Sequence, residues 1–121
     1  FNSGSYKVSS RAKNVLQKIA DVINAQPEMD VMVEGHTDSR TISTEELVDN
    51  WDLSVKRSTS VVRALQNKYS VAPERLIAAG RSSYVPLVEN NSSENKAINR
   101  RTEIILTPDL TELANLLDAA E

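Results

Sequence analysis

The sequence predicts an α+β fold, an α/β two-layer sandwich in which helices cover one face of a small sheet. Three observations point there. Short apolar runs at Asp30–Glu34, Leu76–Gly80 and Thr102–Thr107 are too brief for helices and suit strands. Two longer stretches, Ser10–Ala25 and Trp51–Lys68, repeat apolar residues at helical spacing. Strands separated by helices need crossovers, and crossovers lay the helices on the sheet.

Phe1–Ser5 reads as the stub of a strand and turn, and a chain opening on Phe1 looks like a piece of something longer. Ser9 or Ser10 can cap the first helix by accepting an orphan N–H, after which Val15, Leu16, Ile19, Val22 and Ile23 form its apolar face. Pro27 stops it, and the buried strand Asp30–Glu34 follows, closed by Gly35-His36-Thr37-Asp38. Ser39–Asp49 turns polar and reads as a loop or a short helical turn. Asn50 is the expected N-cap of the second helix, whose apolar face is Leu53, Val61, Val62, Leu65 and Tyr69. Ser70–Glu74 is a turn, since Pro73 disfavours helix at the residue before it. Leu76–Gly80 is the third strand, Arg81–Asn95 a long loop and Thr102–Thr107 the last strand, ended by Pro108. Leu110, Leu113, Ala114, Leu116 and Leu117 make a short amphipathic helix with Asp109 as N-cap. The predicted order is strand, helix, strand, helix, strand, strand, helix, with a domain over 1–108 and a helical extension over 109–121.

Composition narrows the function. At 121 residues the chain is one domain of ordinary composition. Fourteen Lys plus Arg against seventeen Asp plus Glu give a formal charge of −3, so no basic footprint steers it onto nucleic acid. No apolar run is long enough for a membrane helix, so a membrane link is expected only through a segment outside this sequence. The absence of Cys excludes disulfides and thiolate chemistry, and the single His36 excludes a multi-histidine metal site. No cofactor is expected. A metal site from His36, Asp38 and Asp52 has no recognised spacing.

The densest polar cluster, Gly35–Asp38, falls at the carboxyl end of a buried strand, where open sheets place ligand sites. Arg57 lies two turns into the second helix, and only so long a side chain reaches back to that strand end. An Asp38–Arg57 pair is the minimal receptor for a zwitterion, the carboxylate taking an ammonium and the guanidinium fork a carboxylate. An ordinary structural salt bridge fits the same spacing. His36 with a serine such as Ser54 suggests a small hydrolase, but no G-x-S-x-G elbow accompanies it, and a structural His36 is expected. Trp51 and Tyr84 can each stack on a ligand ring, although partly buried packing is the expected role. Of Arg100 and Arg101, one is expected to face the crevice and the other solvent. The stripe Leu110–Leu117 is expected to pack, with a partner surface as the alternative.

Val31-Met-Val-Glu-Gly-His-Thr-Asp38, then Asn50-Trp-Asp-Leu-Ser-Val-Lys-Arg57 with Val61 and Leu65, then Asn99-Arg100-Arg101, resemble the OmpA-like peptidoglycan-binding domain. That family includes the C-terminal domains of OmpA porins, the peptidoglycan-associated lipoprotein and the stator protein MotB. Its signature is G-H-T-D, then N-x-x-L-S-x-x-R-A-x-x-V-x-x-x-L, then N-R-R, and the likeness runs from Phe1 to about Pro108. It implies a β-α-β-α-β-β sandwich that is not an enzyme. It further implies non-covalent binding of peptidoglycan through the diaminopimelate of the stem peptide, in the periplasm of a diderm bacterium, anchoring an outer-membrane or other envelope protein.

By the same resemblance Asp38 holds the amino group and Arg57 the carboxylate, and retention on purified cell wall is expected to fail in Asp38→Ala or Arg57→Ala while thermal unfolding stays nearly unchanged. Asn50 lines the pocket, Arg100 contributes from N-R-R, Asn2 offers backbone contacts and Thr37 is a further candidate. Ser58 replaces the family's Ala, a small-for-small change expected to matter little. The eleven residues Ser39–Asp49 make a longer loop than many members have, placed to cover the pocket. The Asn50-Trp51-x-Leu53-Ser54 run resembles the MotB branch, which allows a stator-type anchor and a homodimer.

Overall fold

The structure, a computed structural model, describes residues 1–108 and 115–119. Helix α1 (Ser10–Asn24) starts where the Ser9 hydroxyl accepts from the Ala12 amide at 3.2 Å. Strand β1 (Met29–Gly35) follows, then α2 (Asn50–Lys68), a 3₁₀ turn (Pro73–Arg75), β2 (Leu76–Gly80), α3 (Ser93–Asn99) and β3 (Thr102–Pro108). The sheet order is β2-β1-β3, with β1 central, parallel to β2 and antiparallel to β3. The parallel pair needs a crossover, and α2 supplies it.

Val31 and Val33 alternate onto one face of β1, where both are fully buried against Leu16, Ala20 and Ile23 of α1 and Val61 and Leu65 of α2. That stripe at i, i+4 and i+7 of α1 forms the helix layer, so the two-layer α+β class holds. Val15 and Val22 sit outside it, exposed along an open, mainly aliphatic groove between α1 and β3. The Tyr69 hydroxyl donates to the Lys13 carbonyl at 2.9 Å and ties the end of α2 to α1.

Three expectations about the elements are corrected. Residues 1–5 form no strand; they make a turn, closed by the Ser5 amide on the Asn2 carbonyl at 3.0 Å, with Gly4 at φ 67° where a side chain would be strained. Asp49, not Asn50, caps α2: its carboxylate accepts from the Asp52 amide at 3.1 Å, and a carboxylate there also suits the helix dipole. The segment read as a loop to Asn95 contains the start of α3, capped by Ser92 on the Asn95 amide at 3.1 Å. Asn99 is fully buried as a pin, accepting from the Leu87 and Val88 amides and donating to the Val88 carbonyl and the Asn90 side chain. The helix expected over Leu110–Leu117 lies largely outside the described residues; 115–119 are helical, with Leu116 and Leu117 exposed.

Helix α2 approaches the sheet unusually closely at the ends of β1 and β2. A methyl group on Gly35 would fall 1.9 Å from the Ser54 carbonyl oxygen, and one on Gly80 2.4 Å from the Ser54 hydroxyl. Ser54 and Ser58, one turn apart and fully buried, fill that contact with hydroxyls. The Ser58 hydroxyl donates to the Val33 carbonyl at 2.6 Å and accepts from the Ala79 amide at 3.1 Å, joining β1 and β2. The exchange of Ala for Ser at this position therefore matters: it adds a buried hydrogen-bonded bridge.

Candidate functional site

The loop leaving β1 carries His36, Thr37 and Asp38 into the interior, and all three are buried. It is held there by backbone bonds, from the His36 amide to the Arg101 carbonyl at 2.8 Å and from the Thr37 amide to the Ser82 carbonyl at 2.9 Å. Asp38 is only 4% exposed, so its charge needs partners. One carboxylate oxygen accepts from Arg100 Nη1 at 2.8 Å and the other from the Arg40 amide at 2.9 Å. The direct guanidinium partner of Asp38 is thus Arg100, not Arg57 as the spacing suggested.

Arg57 does reach back from α2 to the strand end, and it is 0% exposed. Its Nη1 donates to the His36 carbonyl at 3.0 Å, its Nη2 to the Asn2 carbonyl at 3.1 Å and its Nε to the Ser5 carbonyl at 2.8 Å. The Phe1 ring lies against the guanidinium, 5.1 Å from ring centroid to Cζ. Burial pushes the Arg57 pKa down to about 10, opposed by the negative charge of Asp38 and reinforced by Arg100. At neutral pH it remains a cation. Gly4 makes this possible, because the turn it permits aims two main-chain carbonyls at one guanidinium.

The other expected residues fall around this pair. Asn2 contributes its carbonyl to Arg57, and the Phe1 carbonyl accepts from Arg100 Nε at 2.7 Å. Thr37 turns its hydroxyl onto the Asp38 carbonyl at 2.8 Å and is otherwise enclosed. Asn50 donates to the Arg40 carbonyl at 2.9 Å, so it joins Asp38 through one intervening residue. Arg40 is the member that sequence reasoning missed: its amide holds Asp38 and its guanidinium reaches the Ser3 hydroxyl at 3.2 Å. No motif marks it, because its main contribution is a backbone N–H. The longer loop packs on the N-terminal turn, with Glu46 accepting from the Tyr6 hydroxyl at 2.7 Å, and lines one wall of the adjoining cleft.

His36 is placed structurally. Its Nε2 sits 2.8 Å from a Glu34 carboxylate oxygen, and Nδ1 has no hydrogen-bond partner among the described residues. The Ser54 hydroxyl donates to the Trp51 carbonyl at 2.9 Å and accepts from the Ser82 amide at 3.0 Å, which leaves it unpaired with His36. Glu34, His36 and Glu103 gather ligand-type atoms, but Arg81 lies 3.2 Å from Glu34 and Arg101 3.1 Å from Glu103. The protein's own guanidinium groups already balance those carboxylates. Arg101 is consequently drawn into this cluster and mostly buried, which corrects its expected solvation. Burial holds His36 below its usual pKa, with Arg101 adding to the effect and Glu34 opposing it.

Trp51 and Tyr84 also depart from expectation. They are 49% and 71% exposed and pair with each other, ring centroids 5.5 Å apart and tilted by 43°. They frame a cleft of about 450 Å³ beside Asn50. Among the described residues no helix is long and apolar enough to cross a membrane.

Comparison with known proteins identifies relatives of this fold. A model of the OmpA family matches residues 1–100. The chain is 38% identical over 106 residues to the uncharacterised protein YtxE of Bacillus subtilis, covering 88% of this chain and 43% of that one. Among solved structures, the C-terminal domain of Helicobacter pylori MotB superposes with a TM-score of 0.83 at 26% identity, over 99% of this chain and 93% of that one. The peptidoglycan-associated lipoprotein of Burkholderia pseudomallei superposes with a TM-score of 0.78 at 26% identity, over 88% and 86%. The chain spans less than half the length of the curated relatives it matches.

Proposed function

The chain belongs to the OmpA family, and from that premise we propose that it is a non-catalytic anchor binding cell-wall peptidoglycan through the diaminopimelate of the stem peptide. Relatives in this family are binding and structural proteins of the cell envelope, among them a lipoprotein named for its association with peptidoglycan. The observation that carries the reading is the buried Asp38 carboxylate at the end of the central strand, with the Arg57 guanidinium behind the same loop.

In this reading Asp38 takes the ligand ammonium, its orientation fixed by Arg100 and the Arg40 amide. Arg57 has five N–H donors; three are bound by Asn2, Ser5 and His36, which leaves two for a carboxylate. The ligand reaches them by displacing the turn over residues 2–5, trading neutral carbonyls for a charged oxygen pair. Asn50 and Thr37 fix the loop around it. Segments outside this sequence tie the domain to a membrane, and the likeness to MotB supports a stator-type anchor as a second reading beside anchoring of an outer-membrane protein.

The test is retention on purified sacculi. Removing one partner of a buried charge pair costs about 2–5 kcal/mol, so Asp38→Asn weakens retention at least ~30-fold, and meso-diaminopimelate competes while lysine, lacking the second carboxylate, does not. Undiminished co-sedimentation of Asp38→Asn overturns the reading.

A further inference from the structure

The N-terminal turn stands between solvent and Arg57. The guanidinium is 0% exposed, and two of its three acceptors, the Asn2 and Ser5 carbonyls, belong to that turn. Both ends of the segment are fixed. The Phe1 carbonyl accepts from Arg100 Nε at 2.7 Å, and the Ser9 hydroxyl is committed to capping α1. Between them the turn is closed by the main-chain bond from the Ser5 amide to the Asn2 carbonyl.

The polar loop over 39–49 presses on this turn at three successive points. The Arg40 guanidinium donates to the Ser3 hydroxyl at 3.2 Å, a methyl group on Gly4 would lie 3.2 Å from Ile42 Cδ1, and Glu46 accepts from the Tyr6 hydroxyl at 2.7 Å. The loop is itself braced. Leu47 is buried with its amide on the Thr44 hydroxyl at 3.0 Å, and the Val48 amide donates to the Asp52 carboxylate at 2.9 Å. It therefore offers the turn a fixed surface to close against. The acceptors the turn brings to Arg57 are neutral carbonyls, which a carboxylate outcompetes once it arrives, because charged acceptors bind a guanidinium more strongly.

We propose that residues 2–5 are a self-occluding cover of Arg57, latched shut by the 39–49 loop through Tyr6–Glu46 and Ser3–Arg40, so that a ligand carboxylate enters only when the latch releases. The inference rests on the peptidoglycan reading and adds a regulation of the same site. Tyr6, Glu46 and Ser3 are positioning residues that act through the turn.

A site occupied by its own cover binds in proportion to the fraction of molecules in which the cover is open. Tyr6→Phe loses only the latch hydroxyl. With no ligand present it is expected to accelerate hydrogen exchange at the Ser5 amide about 2- to 10-fold, and to tighten meso-diaminopimelate binding by the same factor in calorimetry. Glu46→Gln keeps an acceptor without the charge and shifts both readouts the same way by less. The double variant goes no further than Tyr6→Phe, because the two changes remove one shared bond. Gly4→Ala, strained at φ 67°, opens the turn from within and also tightens binding. A merely structural role predicts the opposite sign, with binding weakened alongside stability. Unchanged Ser5 exchange in Tyr6→Phe, or meso-diaminopimelate affinity that is unchanged or weaker beside a parent that binds, overturns the latch. Accelerated Ser5 exchange with no meso-diaminopimelate binding by parent or variants keeps the latched cover and removes the stem-peptide reading, so the two failures are distinguishable.

Discussion

Replacing Arg57 by Ala tests whether this side chain is part of the fold as well as of the site. Its guanidinium makes three hydrogen bonds, and bonds to charged donors contribute about 1.5–3 kcal/mol each. They do not simply add. The Asn2 and Ser5 carbonyls belong to a turn at the surface and regain water when Arg57 is lost, whereas the His36 carbonyl lies inside. Removing the cation also relieves the burial cost that pushes its pKa down to about 10. The net loss is therefore about 2–4 kcal/mol, which for a domain of this size lowers Tm by roughly 8–16 °C. Arg57→Lys keeps the charge without the planar fork and is expected to lose about 1–2 kcal/mol. Urea unfolding followed by circular dichroism measures both, and hydrogen exchange at the Ser5 amide, which closes the turn, should accelerate in the Ala variant. An Ala variant within ~0.5 kcal/mol of the parent, with Ser5 exchange unchanged, would refute the reasoning. The expectation that Arg57→Ala spares thermal unfolding does not survive the geometry, nor does the same expectation for Asp38→Ala, whose buried carboxylate holds Arg100 and the Arg40 amide, so retention is to be read beside unfolding for either residue.

Ser58→Ala removes the hydroxyl joining the Val33 carbonyl to the Ala79 amide and is expected to lower stability by about 1–3 kcal/mol in the same urea assay, although family members carry Ala there. Gly35→Ala places a methyl 1.9 Å from the Ser54 carbonyl oxygen, so no soluble folded protein is expected; a cooperative melt near the parental Tm would contradict the close approach of α2. Stability should also fall on acidification. His36 is held below 6.5 by burial and Arg101, so the unfolded chain protonates there first and stability declines as the pH drops below about 6.5. Burial pushes the pKa of Glu34 up, but hydrogen bonds from Arg81 and His36 outweigh it and hold the group below 4.5. Its contribution is present above the unfolded value and is lost as the pH falls through the lowered one. Urea midpoints measured from neutral to mildly acidic pH check the sign, and His36→Gln should flatten the upper part of the curve.

What could be read from the sequence was what periodicity and side-chain length encode. Leu16, Ile19 and Ile23 announce α1 through their spacing, and the face they predict is the one that meets Val31 and Val33. Arg57 was traceable because only an arginine two turns into α2 spans the distance to His36. The choice of Arg100 as the partner of Asp38 was not traceable, because it depends on how β3 enters the sheet sixty-two residues later. Helix α3 escaped because its seven residues bury only Asn99, leaving no apolar period to detect. The Asp49 cap escaped because Asn at position 50 satisfies the same local rule, and only the reach of Asn50 to the Arg40 carbonyl decides between them.

That last choice links the packing of α2 to the candidate site and to the Trp51–Tyr84 pair beside it. The Gly35 and Gly80 contacts with Ser54 set how deep the helix sits, and a helix residue moves about 100° around the axis per step. With Asp49 as the cap, Asn50, Leu53 and Arg57 share the face toward the sheet end, and Trp51 turns outward to meet Tyr84. Starting the helix one residue later would free Asp49 from the cap and loosen the Asn50 link to Arg40, the residue whose amide holds Asp38. Asp49→Ala should therefore do more than cost the ~1 kcal/mol typical of a lost N-cap. It should weaken sacculus retention and alter Trp51 emission together. A variant that loses stability while both readouts stay parental would separate the helix start from the site and break this link.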